Sequence, residues 1–273
     1  MSLYRQELIE IITTIEIDSD FTVRHPDYPA LELSPATIAR FKSTAPELQA
    51  KYAIGQIQKY LYDIYFSHSV LSLHEIESRS QQAPQFKNNL IDGIDIDFYQ
   101  QLKRSNTSSG YLDPDWQIVA ETEAGELIVV KEGLHLHIDR QKHLAAQLQP
   151  IQIGDVVAIY LPHNLIGQDT YIAVGNSGTP AISDDLSPSV EIYFNFTPAA
   201  AISIEQQLTT ELNRLNMAFQ LAILHDPDLF HCYDAGTLWL FQADYLSVQT
   251  LIADIYHQHQ SEFAPNVPYL PNS

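Results

Sequence analysis

Positive charge is scarce in this sequence, and cysteine is scarcer still. Only 14 of the 273 residues are Lys or Arg, against 34 Asp or Glu, which leaves a net charge of −20. Nucleic-acid binding needs a basic face that neutralises phosphates, so that class is disfavoured. A single cysteine, Cys232, excludes an internal disulfide and fits a reducing compartment. No apolar run reaches the ~18 residues of a membrane span, so no membrane association is expected. The first twenty residues, "MSLYRQELIEIITTIEIDSD", carry acids inside their apolar stretch and lack a small-residue cleavage site. They do not read as a signal peptide, and a cytoplasmic protein is expected. Glycine numbers only ten, and neither GxGxxG nor a Walker loop occurs. No cofactor is expected.

The shortage of cations is uneven. Residues 1–143 hold 13 Lys or Arg and 21 Asp or Glu, a net charge of −8; residues 144–273 hold one cation, Arg214, and 13 acids, a net charge of −12. A half with one cation has few groups that can grip a phosphate.

What is present is patterned. Leu8, Ile9, Ile12 and Ile15 have helical spacing within Leu3–Ile17, and a second, tyrosine-rich helix is predicted over Pro46–Ser67. The three prolines of "HPDYPALELSP" (His25–Pro35) mark a loop. A short helix is expected from about Asp95. Beyond "SNTSSGYLDPD" strands take over. They are predicted at Trp116–Ala120, Leu127–Val130, Leu134–Ile138, Val156–Leu161, Tyr171–Val174, Val190–Thr197, Phe219–Leu224 and Thr237–Phe241. Helices are expected at Ser203–Asn216 and Tyr245–Gln258. Helices first, then a largely antiparallel sheet with packed helices, is an α+β pattern. The natural division is an N-terminal helical region, 1–87, and an α+β region, 88–273, expected to form one continuous globular unit.

The richest chemistry lies in "VVKEGLHLHIDRQKH" (Val129–His143), which holds three histidines and three cations. His135 and His137 share one face of a strand, and Asp139 joins them if the strand runs on. Two imidazoles and a carboxylate suit zinc or iron. Arg140 and Lys142 oppose a cation, however, and no distant cluster supplies further ligands, so no metal site is assigned. The plain alternative is the solvent-facing side of an antiparallel strand. A third reading pairs Lys131 with His135 or His137 across the hairpin, as base and acid in a β-elimination that expels phosphate. Arg140, Lys142, Arg214 and Asn195 are the candidates for holding substrate. His231 and Cys232 are neighbours whose side chains diverge in extended chain, which reads as a turn rather than a thiolate–imidazole pair.

Several separated stretches resemble the HopA-type effector family. They are "GIDIDFYQQLKRSNTSSGYLDPDW", "VVKEGLHLHI", "IQIGDVVAIYLPHNL", "YIAVGNSG", "VEIYFNFTPAAAISIEQQLTTELNRLNMAFQLAIL" and "YDAGTLWLFQADY". They run in family order from about Asn88 to the C-terminus. The family comprises type III secreted effectors and homologues in peptide natural-product clusters. The resemblance implies an α+β fold. For the cluster homologues it implies partnership with a kinase-like protein and elimination of phosphate from phospho-Ser or phospho-Thr. It would put the base at Lys131 and the acid at His135 or His137.

Two departures stand out. Ala222 and Cys232 occupy positions where the family carries cations. Each lost donor to a developing anion would cost about 2.7–4 kcal/mol of transition-state stabilisation. The expectation is therefore a lyase-like scaffold, degenerate in the sense that catalysis is weak or lost, which binds a peptide or protein partner. The alternative is an active phosphopeptide lyase.

Overall fold

The computed structural model describes residues 9, 11–74, 90–91, 94–144, 151–180 and 188–264. The fold is α+β with antiparallel sheets. Among the described residues no helix is long and apolar enough to cross a membrane. The described residues form two compact units: those up to 74 together with 231–233, and those of 90–230 and 234–264.

In the first unit, residues 11–14 are helical, but the predicted helix does not reach Ile17, and its first turns lie outside the described residues. Strand β1 (Glu16–Ile17) instead pairs with β2 (Val23–His25), which pairs with β3 (Tyr28–Leu31). The proline-rich segment read as a loop thus contains a strand. Pro29 is tolerated because β3 lies at the edge of this small sheet. Helix α1 (Pro35–Lys42) starts where Ser34 accepts from the Thr37 N–H, with proline at its first position. Helix α2 (Pro46–Leu61) runs on through a wider turn at Tyr62–Phe66. Val23, Tyr60 and Ile64 form the buried centre of the unit.

The second unit opens with a two-stranded ladder, β4 (Leu90–Ile91) and β5 (Ile94–Asp95), followed by helix α3 (Ile96–Ser105). Strands β6 (Tyr111–Glu121), β7 (Leu127–Lys131), β8 (Leu134–Ile138) and β9 (Val156–Leu161) form a sheet ordered β8-β7-β6-β9. Trp116, Ile118, Leu127, Val129, Ile138, Val157 and Ile159 make its buried face. Strands β10 (Asn164–Ile166), β11 (Thr170–Val174), β12 (Ser189–Phe194), β13 (Phe219–Leu224) and β14 (Gly236–Phe241) form a second sheet, ordered β10-β11-β13-β14-β12.

Two helices follow the strands. The one predicted over Ser203–Asn216 begins five residues early, as helix α5 (Pro198–Arg214), preceded by the one-turn helix α4 (Arg140–His143). Thr197 caps α5 through the Ala200 N–H, with Pro198 at the first position. Ala200, Ala201, Ile204, Leu208 and Leu212 make its buried stripe. Helix α6 (Tyr245–Gln258) lies where the sequence put it.

Candidate functional site

Three stretches far apart in sequence meet at one hydrogen-bonded junction, formed by the loop after α3, the turn after β11 and the buried face of α5. Asn106, nearly buried, is its centre. Its amide donates to the His163 carbonyl at 3.0 Å and to Tyr171 Oη at 2.9 Å, while its Oδ1 accepts from the Ser108 N–H at 2.9 Å. The Thr107 N–H donates to Thr209 Oγ1 at 3.1 Å, and Asn213 Nδ2 donates to Ser108 Oγ at 2.9 Å. Asn176 closes the ring: its N–H donates to Asn213 Oδ1 at 2.8 Å, and its Oδ1 accepts from the Ser109 N–H at 2.7 Å. Gly110 is required here: its φ is +98°, and a Cβ would stand 2.6 Å from the Leu161 carbonyl oxygen.

Glu205, on α5, is fully buried within this junction. Ser105 Oγ donates to its Oε2, and its Oε1 has no hydrogen-bond partner among the described residues. Burial pushes the carboxyl up to about 8, against a smaller opposing pull from the Ser105 bond. In the neutral form the carboxyl can instead donate to Ser105 Oγ, which frees that hydroxyl to donate to the Leu102 carbonyl 3.0 Å away. Tyr171 is also held above its ordinary value, by burial first and then by Glu205.

The histidine hairpin is built differently. Glu132 and Gly133 both have positive φ, +50° and +82°, which is the two-residue turn that matches strand twist. The register pairs Lys131 with Leu134, Val130 with His135 and Ile128 with His137. Directly paired residues project to the same face. Lys131 therefore shares the face of Val129 and Leu127, and the two histidines share the opposite face. Lys131 Nζ lies 2.9 Å from both Asp113 oxygens and 3.0 Å from the Pro114 carbonyl. Trp116 Nε1 donates to the same carboxylate at 2.6 Å. His135 and His137 are exposed on an edge strand. His135 Nδ1 is 3.2 Å from the Gly133 carbonyl, and His137 Nδ1 is 4.0 Å from Glu126 Oε2.

Residues 161–272 match the HopA1 effector protein family. The match supports a HopA-type assignment for this C-terminal segment. No curated protein matches the chain. The matched segment is narrower than the resemblance traced from Asn88. It takes in the whole five-stranded sheet, α5 and α6, and so Glu205, Thr209 and Asn213. It leaves out Lys131, both histidines and Asn106. The segments "SNTSSG", "YIAVGNSG" and "LTTELN" all supply groups to the junction, which gives them a shared structural role.

The remaining candidates are dispersed. Arg140 Nη2 pairs with Glu121 at 2.8 Å, Lys142 Nζ lies 3.7 Å from Asp139, and Arg214 Nε pairs with Glu211 at 2.8 Å. Asn195 Nδ2 donates to the Ala264 carbonyl at 3.0 Å. Asp139 does not extend the strand beside the histidines; it caps α4, accepting from the Gln141 and Lys142 N–H groups. Among the described residues no three His, Cys, Asp or Glu side chains stand together as metal ligands. Ala222 and Cys232, the two departures from the HopA-type pattern, are both buried.

Lys131 thus tethers the β7 end to the β6 bend. Lys131→Met is expected to cost about 1–2 kcal/mol, because Asp113 would keep only the indole N–H and the pair is partly exposed. Chemical denaturation checks this. The double variant Lys131→Met/Asp113→Asn should recover most of the loss.

Sequence reasoning missed Glu205, Ser105 and Thr209. The available signal was in "AISIEQQLTTEL": Glu205 directly follows Ile204 and precedes Thr209 by four, so both fall beside the Ala201–Ile204–Leu208–Leu212 stripe.

Proposed function

We propose that this HopA-type protein binds a peptide or protein partner on a lyase-like scaffold and that it has little or no phosphate-eliminating activity. One observation carries the reading: each cation nominated for phosphate chemistry already sits against a carboxylate. Lys131 is engaged by Asp113, Arg140 by Glu121, Lys142 by Asp139 and Arg214 by Glu211. A phosphate dianion entering any of these places would have to displace a carboxylate or bear its repulsion. A base and acid for elimination must also converge on one substrate, and Lys131 faces away from His135 and His137.

The matched segment supports binding in a second way. An open cleft of about 450 Å³ lies along α5 and α6, lined by Gln206, Gln207, Glu211, Leu251, Asp254 and Gln258. Amides and carboxylates suit a peptide backbone and its donors better than a phosphate. The effector character of the family favours a host protein as target, and the cluster homologues named by the resemblance favour a kinase-like one.

The test is mass spectrometry of phosphothreonine and phosphoserine peptides incubated with the purified chain. Peptides are expected to keep their phosphate. Loss of phosphoric acid at an enzymatic rate, abolished by Lys131→Ala, would establish the active lyase with Lys131 as base and His135 or His137 as acid.

A further inference from the structure

Helices α1 and α2 carry a charge opposite to that of the chain. Residues 35–61 hold Arg40, Lys42, Lys51 and Lys59 against a single acid, Glu47, a net charge of +3 in a protein of −20. Lys59 is occupied by Asp63 at 2.6 Å. Arg40 and Lys51 instead line a groove of about 810 Å³ within the first unit.

The two walls of this groove have the same spacing. Thr37, Arg40 and Phe41 stand at i, i+3 and i+4 on α1, with Thr44 in the turn just beyond it, and Leu48, Lys51, Tyr52 and Gly55 stand at i, i+3, i+4 and i+7 on α2. Each wall is one face of its helix. Of the apolar members Phe41 is buried, at 8% exposed, whereas Leu48 and Tyr52 are open, at 58% and 39%. Such exposure of large apolar side chains beside unburied cations marks an interaction surface.

Gly55 adds an independent observation. A glycine inside a helix costs about 1 kcal/mol relative to alanine. Among the described residues a Cβ at Gly55 would meet nothing within 4 Å, so the helix packing around it does not need the space it leaves. The space is useful to a visitor.

We infer that the α1–α2 groove receives an acidic amphipathic helix of the partner, its apolar stripe on Leu48 and Tyr52 and its carboxylates towards Arg40 and Lys51. This rests on the binding reading above and names the chemistry of the partner. Ridges of an incoming helix can enter between two such faces, and Gly55 permits the close approach. Charge complementarity selects an acidic ligand and rejects a basic one.

The experiment sorts a yeast-displayed library of helical peptides, with a fixed apolar stripe and randomised polar positions, on the full chain. The enriched peptides are then titrated by fluorescence anisotropy against wild type, Gly55→Leu and Arg40→Glu/Lys51→Glu. Enrichment of Asp and Glu is expected, with at least about tenfold weaker binding to both variants, one decade being ~1.4 kcal/mol, and weakening with salt. Gly55→Leu should melt no lower than wild type, because it replaces a helix-interior glycine. Neutral or basic winners, or affinity unchanged in Gly55→Leu, would overturn the inference. So would self-association abolished by Gly55→Leu, which would give the groove to a second copy, or capture by phosphatidylserine vesicles that displaces the peptide. If the groove fails while phosphopeptides stay intact, this inference falls and the binding reading stands; phosphate release overturns that reading whatever the groove does.

Discussion

Glu205→Gln is expected to stabilise the protein by several kcal/mol at pH 8 and to change it little at pH 5. The reasoning is linkage. An unfolded glutamate titrates near 4.5, whereas burial holds Glu205 at about 8 in the folded chain. Between those values the folded state keeps a proton that the unfolded state has released, so stability falls as pH rises through the window and levels off above the folded value. At ~1.36 kcal/mol per pH unit the whole window corresponds to about 4–5 kcal/mol, most of it lost between pH 5 and pH 8. The groups acting on Glu205 are Ser105 and Tyr171, both neutral throughout that range. Denaturant unfolding at several pH values checks this. Wild type should lose stability steeply between pH 5 and 8, and the glutamine variant should have a shallower slope. Equal slopes would place the carboxylate in a solvated setting and contradict its burial. Self-repulsion in a chain of charge −20 also grows with pH, so the difference between the two slopes is the informative quantity.

Asn106→Ala should be among the most damaging single substitutions outside the apolar core, costing about 3 kcal/mol or more. One side chain satisfies the His163 carbonyl, the Tyr171 hydroxyl and the Ser108 N–H. Each buried polar group left unpaired costs about 1–3 kcal/mol. The loop from Ser105 to Gly110 would lose its hold on β11, and with it the geometry that lets Thr107, Ser108 and Ser109 reach Thr209, Asn213 and Asn176. Amide exchange at Ser108 and Ser109 should accelerate along with the loss of global stability. Gln206→Ala, on the exposed side of α5, is the control and should shift stability by less than about 0.5 kcal/mol. If both variants behaved alike, the junction would be a surface decoration rather than a structural centre.

These two expectations concern residues of low visibility in the sequence. Asn106 stands in a polar run that resembles a HopA-type motif, but nothing in the run singled it out, because its partners lie on segments far along the chain. Glu205 looked like any helix-surface glutamate. Its setting depends on α3 covering α5, a packing between segments one hundred residues apart. The candidate hairpin is the converse case. Its strands, its Glu-Gly turn and the shared face of His135 and His137 all follow from alternation and turn chemistry, which act over a few residues. The fate of Lys131 does not, since Asp113 reaches it across the sheet from a bend eighteen residues earlier.

By itself the sequence determined the α+β order of elements, most strand positions, and the imbalance of charge. Periodicity, capping and composition are local quantities and need no knowledge of distant neighbours. Tertiary structure decided which cations are neutralised, that Lys131 and the histidines part company, that three motifs share one junction, and that Glu205 keeps its proton. Each of these depends on Coulombic and desolvation energies, which are set by what lies within a few ångströms in space rather than along the chain.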